Sequence, residues 1–154
     1  EDGVWILDIN ENHPDKSVKT SERRLVPLHP QVLKLGFVEF VKEQKDKGQE
    51  RIFNELKRQQ NKYGHYVTRW FSAYKKDCGI IAEPRKKTFH SLRHTLTDNL
   101  GQQLVETTVI MAITGHAEQG EALGRYRKAL KPKVVLNKGI KKLDYDLDLS
   151  FLEK

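Results

Sequence analysis

The chain has 154 residues, 37% of them hydrophobic and 32% charged, which suits one domain with an apolar core and excludes a disordered composition. No apolar run approaches the roughly 18 residues of a membrane span, no signal peptide is present, and the single Cys78 excludes an internal disulfide or a Cys-rich zinc site. The net charge is +7, and residues 1–142 contain 27 Lys and Arg against 17 Asp and Glu, an excess that favours nucleic acid as a partner but also fits a merely basic soluble protein.

The chain begins with a predicted β-hairpin. Val4–Ile9 is rich in strand-forming residues, and Arg24–Leu28 is its expected partner. Pro27 cannot donate a ladder hydrogen bond, which places it at a sheet edge or a strand end. The polar stretch 10–21 between the strands is the predicted turn.

Helices are predicted for most of the remaining chain. An apolar stripe from Tyr63 to Tyr74 indicates a helix packed on the core, closed by Gly79. Thr88 is the expected N-cap of a helix that buries Phe89, Leu92, Leu96 and Leu100. Gly115 suits the C-cap of another helix. The predicted spans are about 29–45, 61–78, 88–102, 106–114, 119–129 and 133–142.

The last residues alternate between apolar and polar side chains from Leu143 to Phe151. A period of two predicts a half-buried strand, whereas a helix through Leu143, Leu147 and Phe151 is the alternative. We expect residues 143–154 to form a tail that adds a strand to the N-terminal hairpin, within one chain or between two.

An ordered set of residues indicates metal-free cleavage of a DNA phosphodiester. His90 and Arg93 lie at positions i and i+3 of the helix that follows Thr88, so both face the same side. Arg93 can hold two phosphate oxygens, and His90 can orient or deprotonate an attacking hydroxyl. His116 can donate to a non-bridging oxygen, and Tyr126 is a candidate nucleophile.

These residues resemble the catalytic domain of the tyrosine recombinases, the phage integrase family. The resemblance rests on KTSERRLVPL at 19–28, HSLRHT at 90–95, Gly115-His116 and Tyr126, and it covers residues 1 to about 130. It implies an α+β, mainly α fold, with a small antiparallel sheet at the N-terminal end packed against a helical catalytic domain.

The resemblance also implies a site and a reaction. Its catalytic set is Lys19, His90, Arg93, His116 and Tyr126, because the family's lysine directly precedes Thr in the hairpin turn. Lys19 would be the general acid, and Lys16 is the alternative candidate for this role. The reaction would pass through a 3′-phosphotyrosine without metal or other cofactor. Weaker DNA contacts are expected from a further set: Lys16, Arg69, Lys75 and Lys76.

One departure from the family pattern concerns its first catalytic arginine. The family carries it upstream of the hairpin, and nothing here matches that motif. We therefore expect residues 1–142 to be an N-terminally incomplete catalytic domain, weakly DNA-binding and inactive by itself.

The implied partners are double-stranded attachment sites and three further copies in a synaptic tetramer, with a monomer expected for the isolated fragment. No membrane partner is expected, and the cytoplasm of a bacterial or phage-infected cell is the implied location.

Three alternative functions remain: a DNA-binding remnant of a prophage or mobile element, a type IB topoisomerase, and a metal hydrolase using His90, His94 and His116. Arg93, between the first two histidines, would repel a metal cation.

Overall fold

The structure is a computed structural model that describes residues 3–13, 18, 23–59, 63–81, 86–116 and 130–153. Its elements are β1 (Ile6–Ile9), β2 (Arg24–Pro27), α1 (Pro30–Lys34), α2 (Phe37–Asp46), α3 (Gly64–Asp77), α4 (Ser91–Gln102), α5 (Thr107–Thr114) and α6 (Pro132–Lys138). Two 3-10 helices follow, at Ile140–Lys142 and Ser150–Leu152. The predicted class, α+β and mainly α with a small antiparallel sheet, is confirmed.

The chain divides into two compact units. The first comprises residues 1–36 and 96–154, and the second comprises residues 37–95. The tail belongs to the first unit together with the hairpin, and the boundary at residue 142 stays a prediction.

The N-terminal hairpin is antiparallel, with Ile6 opposite Pro27 and Ile9 opposite Arg24. Pro27 is the last residue of β2, as its missing N–H predicts. Beyond the ladder, the Leu28 N–H donates to the Trp5 carbonyl oxygen at 2.9 Å. The pairing of the two predicted strands is therefore confirmed.

The segment after β2 forms two helices where the sequence predicted one. His29 caps α1, because its Nδ1 accepts a hydrogen bond from the Gln31 N–H at 3.2 Å, and Pro30 occupies the first turn. Gly36 then adopts a left-handed conformation with φ of 76° and interrupts the helix before Phe37. His29 therefore serves as a helix cap.

The core of the first unit lies between α4, α5, α6 and the following 3-10 helix. Its buried members are Leu100, Val109, Ala112, Ile113, Val135 and Ile140. Strand β2 contacts both α5 and α6, and its Val26 packs against this core. Within the described part of the chain, the hairpin is therefore held by helices and not by further strands.

Gly139 permits the close packing at the centre of this core. A Cβ atom at this position would lie 2.7 Å from Ile113 Cδ1 and 2.7 Å from Val109 Cγ1. These distances are too short for carbon atoms, so any larger residue would force α5 and the segment after α6 apart.

The second unit contains α2, α3 and the N-terminal part of α4. The prediction that the whole aromatic stripe of α3 faces the core is wrong. Tyr63, Val67 and Phe71 are half-buried, whereas Trp70 and Tyr74 are 59% and 52% exposed. The stripe covers a wide arc of the helix, and only one edge of it packs. On the other edge, the Trp70 and Tyr74 rings stack on each other, with centroids 5.3 Å apart.

The leucine face of α4 is also buried less than predicted. Leu100 is fully buried and Leu96 is half-buried, but Phe89 and Leu92 remain exposed. The two better-buried leucines lie in the first unit, whose core they join, and the two exposed residues precede its boundary. Burial along α4 therefore changes at the division between the units.

The tail does not add a strand, which corrects the prediction for residues 143–154. Among the described residues the sheet has two strands, and Ser150–Leu152 forms a 3-10 helix. Asp146 has a left-handed backbone with φ of 52°, and its N–H donates to Asp144 Oδ1 at 2.9 Å. This side-chain turn interrupts the extended conformation that the alternating pattern favours.

The tail nevertheless docks on its own chain. Asn99 Nδ2 donates to the Asp144 carbonyl oxygen at 2.7 Å, and Lys34 Nζ lies 3.8 Å from Glu153 Oε1. Leu143 packs against the core of the first unit. The tail therefore contacts helices α1 and α4.

A substitution at Gly139 tests the close packing of the core. Gly139→Ala should destabilise the chain by about 1–3 kcal/mol through overpacking, and thermal unfolding of the 154-residue chain measures the change. Gly101→Ala is the matched control, since nothing lies within 4 Å of its Cβ position and alanine favours the helix by up to about 1 kcal/mol. Equal melting temperatures for the two variants would contradict the described packing.

Candidate active site

Only some of the predicted site residues lie in the described part of the chain. His90, Arg93 and His116 are described, as are Arg69, Lys75 and Lys76. Lys16, Lys19 and Tyr126 lie outside the described residues, as does the helix predicted at 119–129. His90 and Arg93 lie in the second unit and His116 in the first, so their surroundings are described unit by unit.

His90 and Arg93 are brought together at the start of α4. The Arg93 N–H donates to the His90 carbonyl oxygen at 3.0 Å, so the two residues occupy one helical turn. His90 is exposed, and Arg93 is half-buried. An exposed imidazole beside a partly shielded guanidinium is suited to binding an anion, because the guanidinium keeps its charge at every physiological pH.

The turn before α4 is fixed by local hydrogen bonds. The Thr88 N–H donates to Ser91 Oγ at 2.9 Å, and the Ser91 N–H donates to the Thr88 carbonyl oxygen at 2.9 Å. The bond from the Thr88 N–H to Ser91 Oγ resembles one half of a capping box, but α4 begins at Ser91, three residues after the predicted N-cap. The two bonds hold His90 in the turn that directly precedes the helix.

Helix α3 supports this turn through two contacts that the sequence did not reveal. The Phe71 ring meets the Phe89 ring edge to face, with centroids 5.6 Å apart. Lys75 Nζ donates to the Lys87 carbonyl oxygen at 2.9 Å. Lys87 itself has a left-handed backbone with φ of 50°, a conformation that costs about 1–3 kcal/mol and persists only where the surrounding structure holds it. The two contacts of α3 provide such support.

His94 packs against His90. Their ring centroids are 5.1 Å apart, and the rings are nearly perpendicular. The contact gives His94 a packing role beside His90. Among the described residues, no group of three His, Cys, Asp or Glu side chains is arranged to hold a metal ion.

His116 follows the end of α5. Gly115 caps this helix in a left-handed conformation with φ of 69°, and its N–H donates to the Met111 carbonyl oxygen. The His116 N–H lies 3.4 Å from Oγ1 of the buried Thr114, and the imidazole is exposed. The predicted helix end and its glycine cap are confirmed, so the chain turns sharply just before His116.

An arginine that the sequence analysis did not single out lies against this cap. The Arg24 guanidinium of β2 occupies the space beside Gly115, where a Cβ atom would come within 2.8 Å of Arg24 Cζ. Arg24 Nε is shielded from solvent. The signal available in the sequence was the position of Arg24 inside the stretch 19–28, and no local pattern links it to Gly115.

The candidate DNA contacts on α3 fall into two groups. Arg69 and Lys76 are exposed, and their contact with DNA stays a prediction. Lys75 is half-buried and already donates to Lys87, so a structural role stands beside the predicted one.

The comparisons with known proteins give one match. The family model described as "Phage integrase family" matches residues 1–132. The chain belongs to the phage integrase family. It is therefore a tyrosine-recombinase-like domain, as its motifs predicted. No curated protein and no solved structure gives a significant match.

The described ranges contain no helix with the length and apolar character that a bilayer span requires.

Paired substitutions test the structural role of Lys75. Lys75→Met should remove about 1 kcal/mol of hydrogen bonding to Lys87 and accelerate amide hydrogen exchange at Ser91 and Arg93. Lys76→Met removes the same charge from an exposed neighbour and should leave this exchange unchanged. Identical exchange in both variants would show that Lys75 does not hold the turn.

Proposed function

We propose that this chain is the catalytic domain of a site-specific DNA recombinase that cuts and rejoins DNA through a 3′-phosphotyrosine on Tyr126. The observation that carries the proposal is the placement of His90 and Arg93 in one helical turn of a chain that belongs to the phage integrase family. Family membership supplies the reaction class, and the local geometry supplies two of the groups that this reaction needs.

The proposed cleavage is a transesterification. The Tyr126 phenol oxygen forms a bond to the phosphorus, and the bond from phosphorus to the 5′-oxygen breaks, leaving a free 5′-hydroxyl. A 5′-hydroxyl from a second duplex then attacks the phosphotyrosine and releases the tyrosine. Each step exchanges one phosphoester for another, so it needs no external energy source.

Arg93 and His116 are proposed to stabilise the charge on the non-bridging oxygens. A guanidinium can give two parallel hydrogen bonds to a phosphate, and its partial burial strengthens them by limiting the competition from water. The exposed imidazole of His116, on a rigid helix end, can give another. Such preorganised donors commonly contribute the largest share of catalysis.

His90 is proposed to orient the Tyr126 hydroxyl or accept its proton. A phenol has an ordinary pKa near 10, so attack at neutral pH requires removal of that proton. Contact with the nearly perpendicular His94 ring, at a centroid distance of 5.1 Å, limits the orientations of the His90 ring.

Lys19 is proposed to protonate the 5′-oxygen as it leaves. Its ammonium has the flexible stem that suits a proton donor, and its place before Thr20 matches the family pattern. Recombination would occur between two DNA attachment sites held by four copies of the protein, in the cytoplasm of a bacterial or phage-infected cell.

The nucleophile can be tested by trapping the covalent intermediate. Tyr126→Phe in the full-length protein should abolish the protein–DNA adduct on a nicked suicide substrate while changing DNA affinity little, since one oxygen is removed. Tyr145→Phe is the control and should form the adduct normally. The assay contains EDTA, so adduct formation also shows independence from metal. Normal adduct yield from Tyr126→Phe would assign the nucleophile elsewhere, and no adduct from the wild type would favour DNA binding without catalysis.

The general acid can be tested with a modified substrate. Lys19→Ala should slow cleavage of ordinary DNA by about 10²–10⁴-fold, but a 5′-bridging sulfur should restore most of the rate. The reason is that a thiolate leaves without a proton. Lys16→Ala is the control and should behave alike on both substrates. Selective rescue of Lys16→Ala would transfer the role to Lys16, and equal defects of Lys19→Ala on both substrates would remove Lys19 from it.

A further inference from the structure

We infer that Arg24 is a positioning residue for His116, an assignment that rests on the proposed function. The Arg24 guanidinium contacts Gly115. Both residues lie in the first unit.

The Arg24 guanidinium lies against the backbone of Gly115. A Cβ atom at position 115 would collide with Arg24 Nη1 and lie 2.8 Å from Cζ and 3.2 Å from Nε, so the guanidinium would have to move. Three guanidinium atoms therefore lie close to one backbone position. Gly115 is also left-handed, and this φ angle favours glycine there.

The charge of Arg24 suits this place. The carboxyl end of a helix carries a partial negative charge, and the last turn of α5 contains no basic residue. Arg24 supplies a cation to this end from β2. Because Arg24 Nε is shielded from solvent, the side chain is confined where it lies.

The contact fixes the residue that follows. His116 is exposed and directly succeeds the turn at Gly115, so the direction of its side chain depends on the φ and ψ angles of that turn. Arg24 restricts the turn from one side, and the Thr114 hydroxyl contacts the His116 N–H from the other. Arg24 thereby restricts His116 without being placed on the phosphate itself.

The same contact joins two parts of the proposed catalytic set. Arg24 opens β2, five residues after Lys19 in the sequence, and it contacts the residue before His116. One side chain thus links the strand that follows the proposed general acid to the turn that carries a proposed phosphate donor. A misplacement of about 1 Å in such a set can cost 10²-fold in rate.

The catalytic part of this inference is tested by a double-mutant cycle in the full-length protein. Arg24→Ala should slow single-turnover cleavage by on the order of 10²-fold at saturating DNA. The double variant Arg24→Ala/His116→Ala should be no slower than His116→Ala alone, because Arg24 acts through His116. If the rate defects of the two single variants multiply in the double variant, the two residues act independently, and the inference is overturned.

Two further variants separate position from charge. Arg24→Lys keeps the positive charge but lacks the planar group, and it should remain at least tenfold slower than the wild type. Arg23→Ala removes the same charge from the neighbouring residue, which pairs with Asp8 at 2.9 Å, and should cleave at nearly the wild-type rate. Full activity of Arg24→Lys would show that charge alone matters and would overturn the positioning role.

A stability cycle tests the contact independently of activity. Gly115→Ala should lower the melting temperature less in the Arg24→Ala background than in the wild type, because the collision is then absent while the φ strain remains. Equal losses of melting temperature in the two backgrounds would refute the contact.

The outcomes also separate the inference from the proposed function. If the contact is present and the wild type forms the Tyr126 adduct, but Arg24→Ala cleaves normally, the inference fails and the proposed function stands. If the wild type forms no adduct, the proposed function fails first.

Discussion

A hairpin of two strands is at best marginally stable in water, and this constraint governs the first unit. The hairpin depends on the apolar side of β2 packing against α5 and α6. That packing in turn requires Gly139, because any larger residue would collide with Val109 and Ile113. Since β2 also carries Arg24, the interaction that stabilises the hairpin determines where the guanidinium meets the end of α5. Stability and the geometry of the candidate site therefore depend on the same few contacts.

In the second unit, the first turn of α4 relies on α3 rather than on its own capping alone. An aromatic contact from Phe71 and a hydrogen bond from Lys75 hold the residues just before His90. These two supports lie four residues apart on one edge of α3, so a single helical row acts on the turn. A strained backbone at Lys87 is tolerated because Lys87 and the nearby Phe89 are both held. His90 and Arg93, which we propose to be catalytic, are thus placed by neighbours with no chemical role in the proposed reaction.

Local sequence patterns predicted the positions of helices and strands well, but they predicted side-chain burial and long-range contacts less well. The pairing of β1 with β2, the cap at Gly115 and the helix ending at Gln102 all follow from short-range rules. The break at Gly36 was missed because the apolar spacing continues through it. Exposure of Trp70 could not be predicted, since periodicity shows which residues share a face but not how much of that face is covered. The contact between Arg24 and Gly115 joins residues far apart in sequence, which no local pattern records.

The left-handed Asp146 has a consequence for how copies of this protein behave together. Nine residues that alternate between apolar and polar side chains could pair edge to edge with the same stretch of another copy, and extended segments of six or seven residues suffice for such stacking. The turn at Asp146 divides the stretch into two pieces of at most a few residues each. Its acidic side chains add repulsion between copies. The tail thus packs Leu143 on its own chain and leaves Leu147 and Phe151 exposed, but it lacks the continuous strand that would seed aggregation.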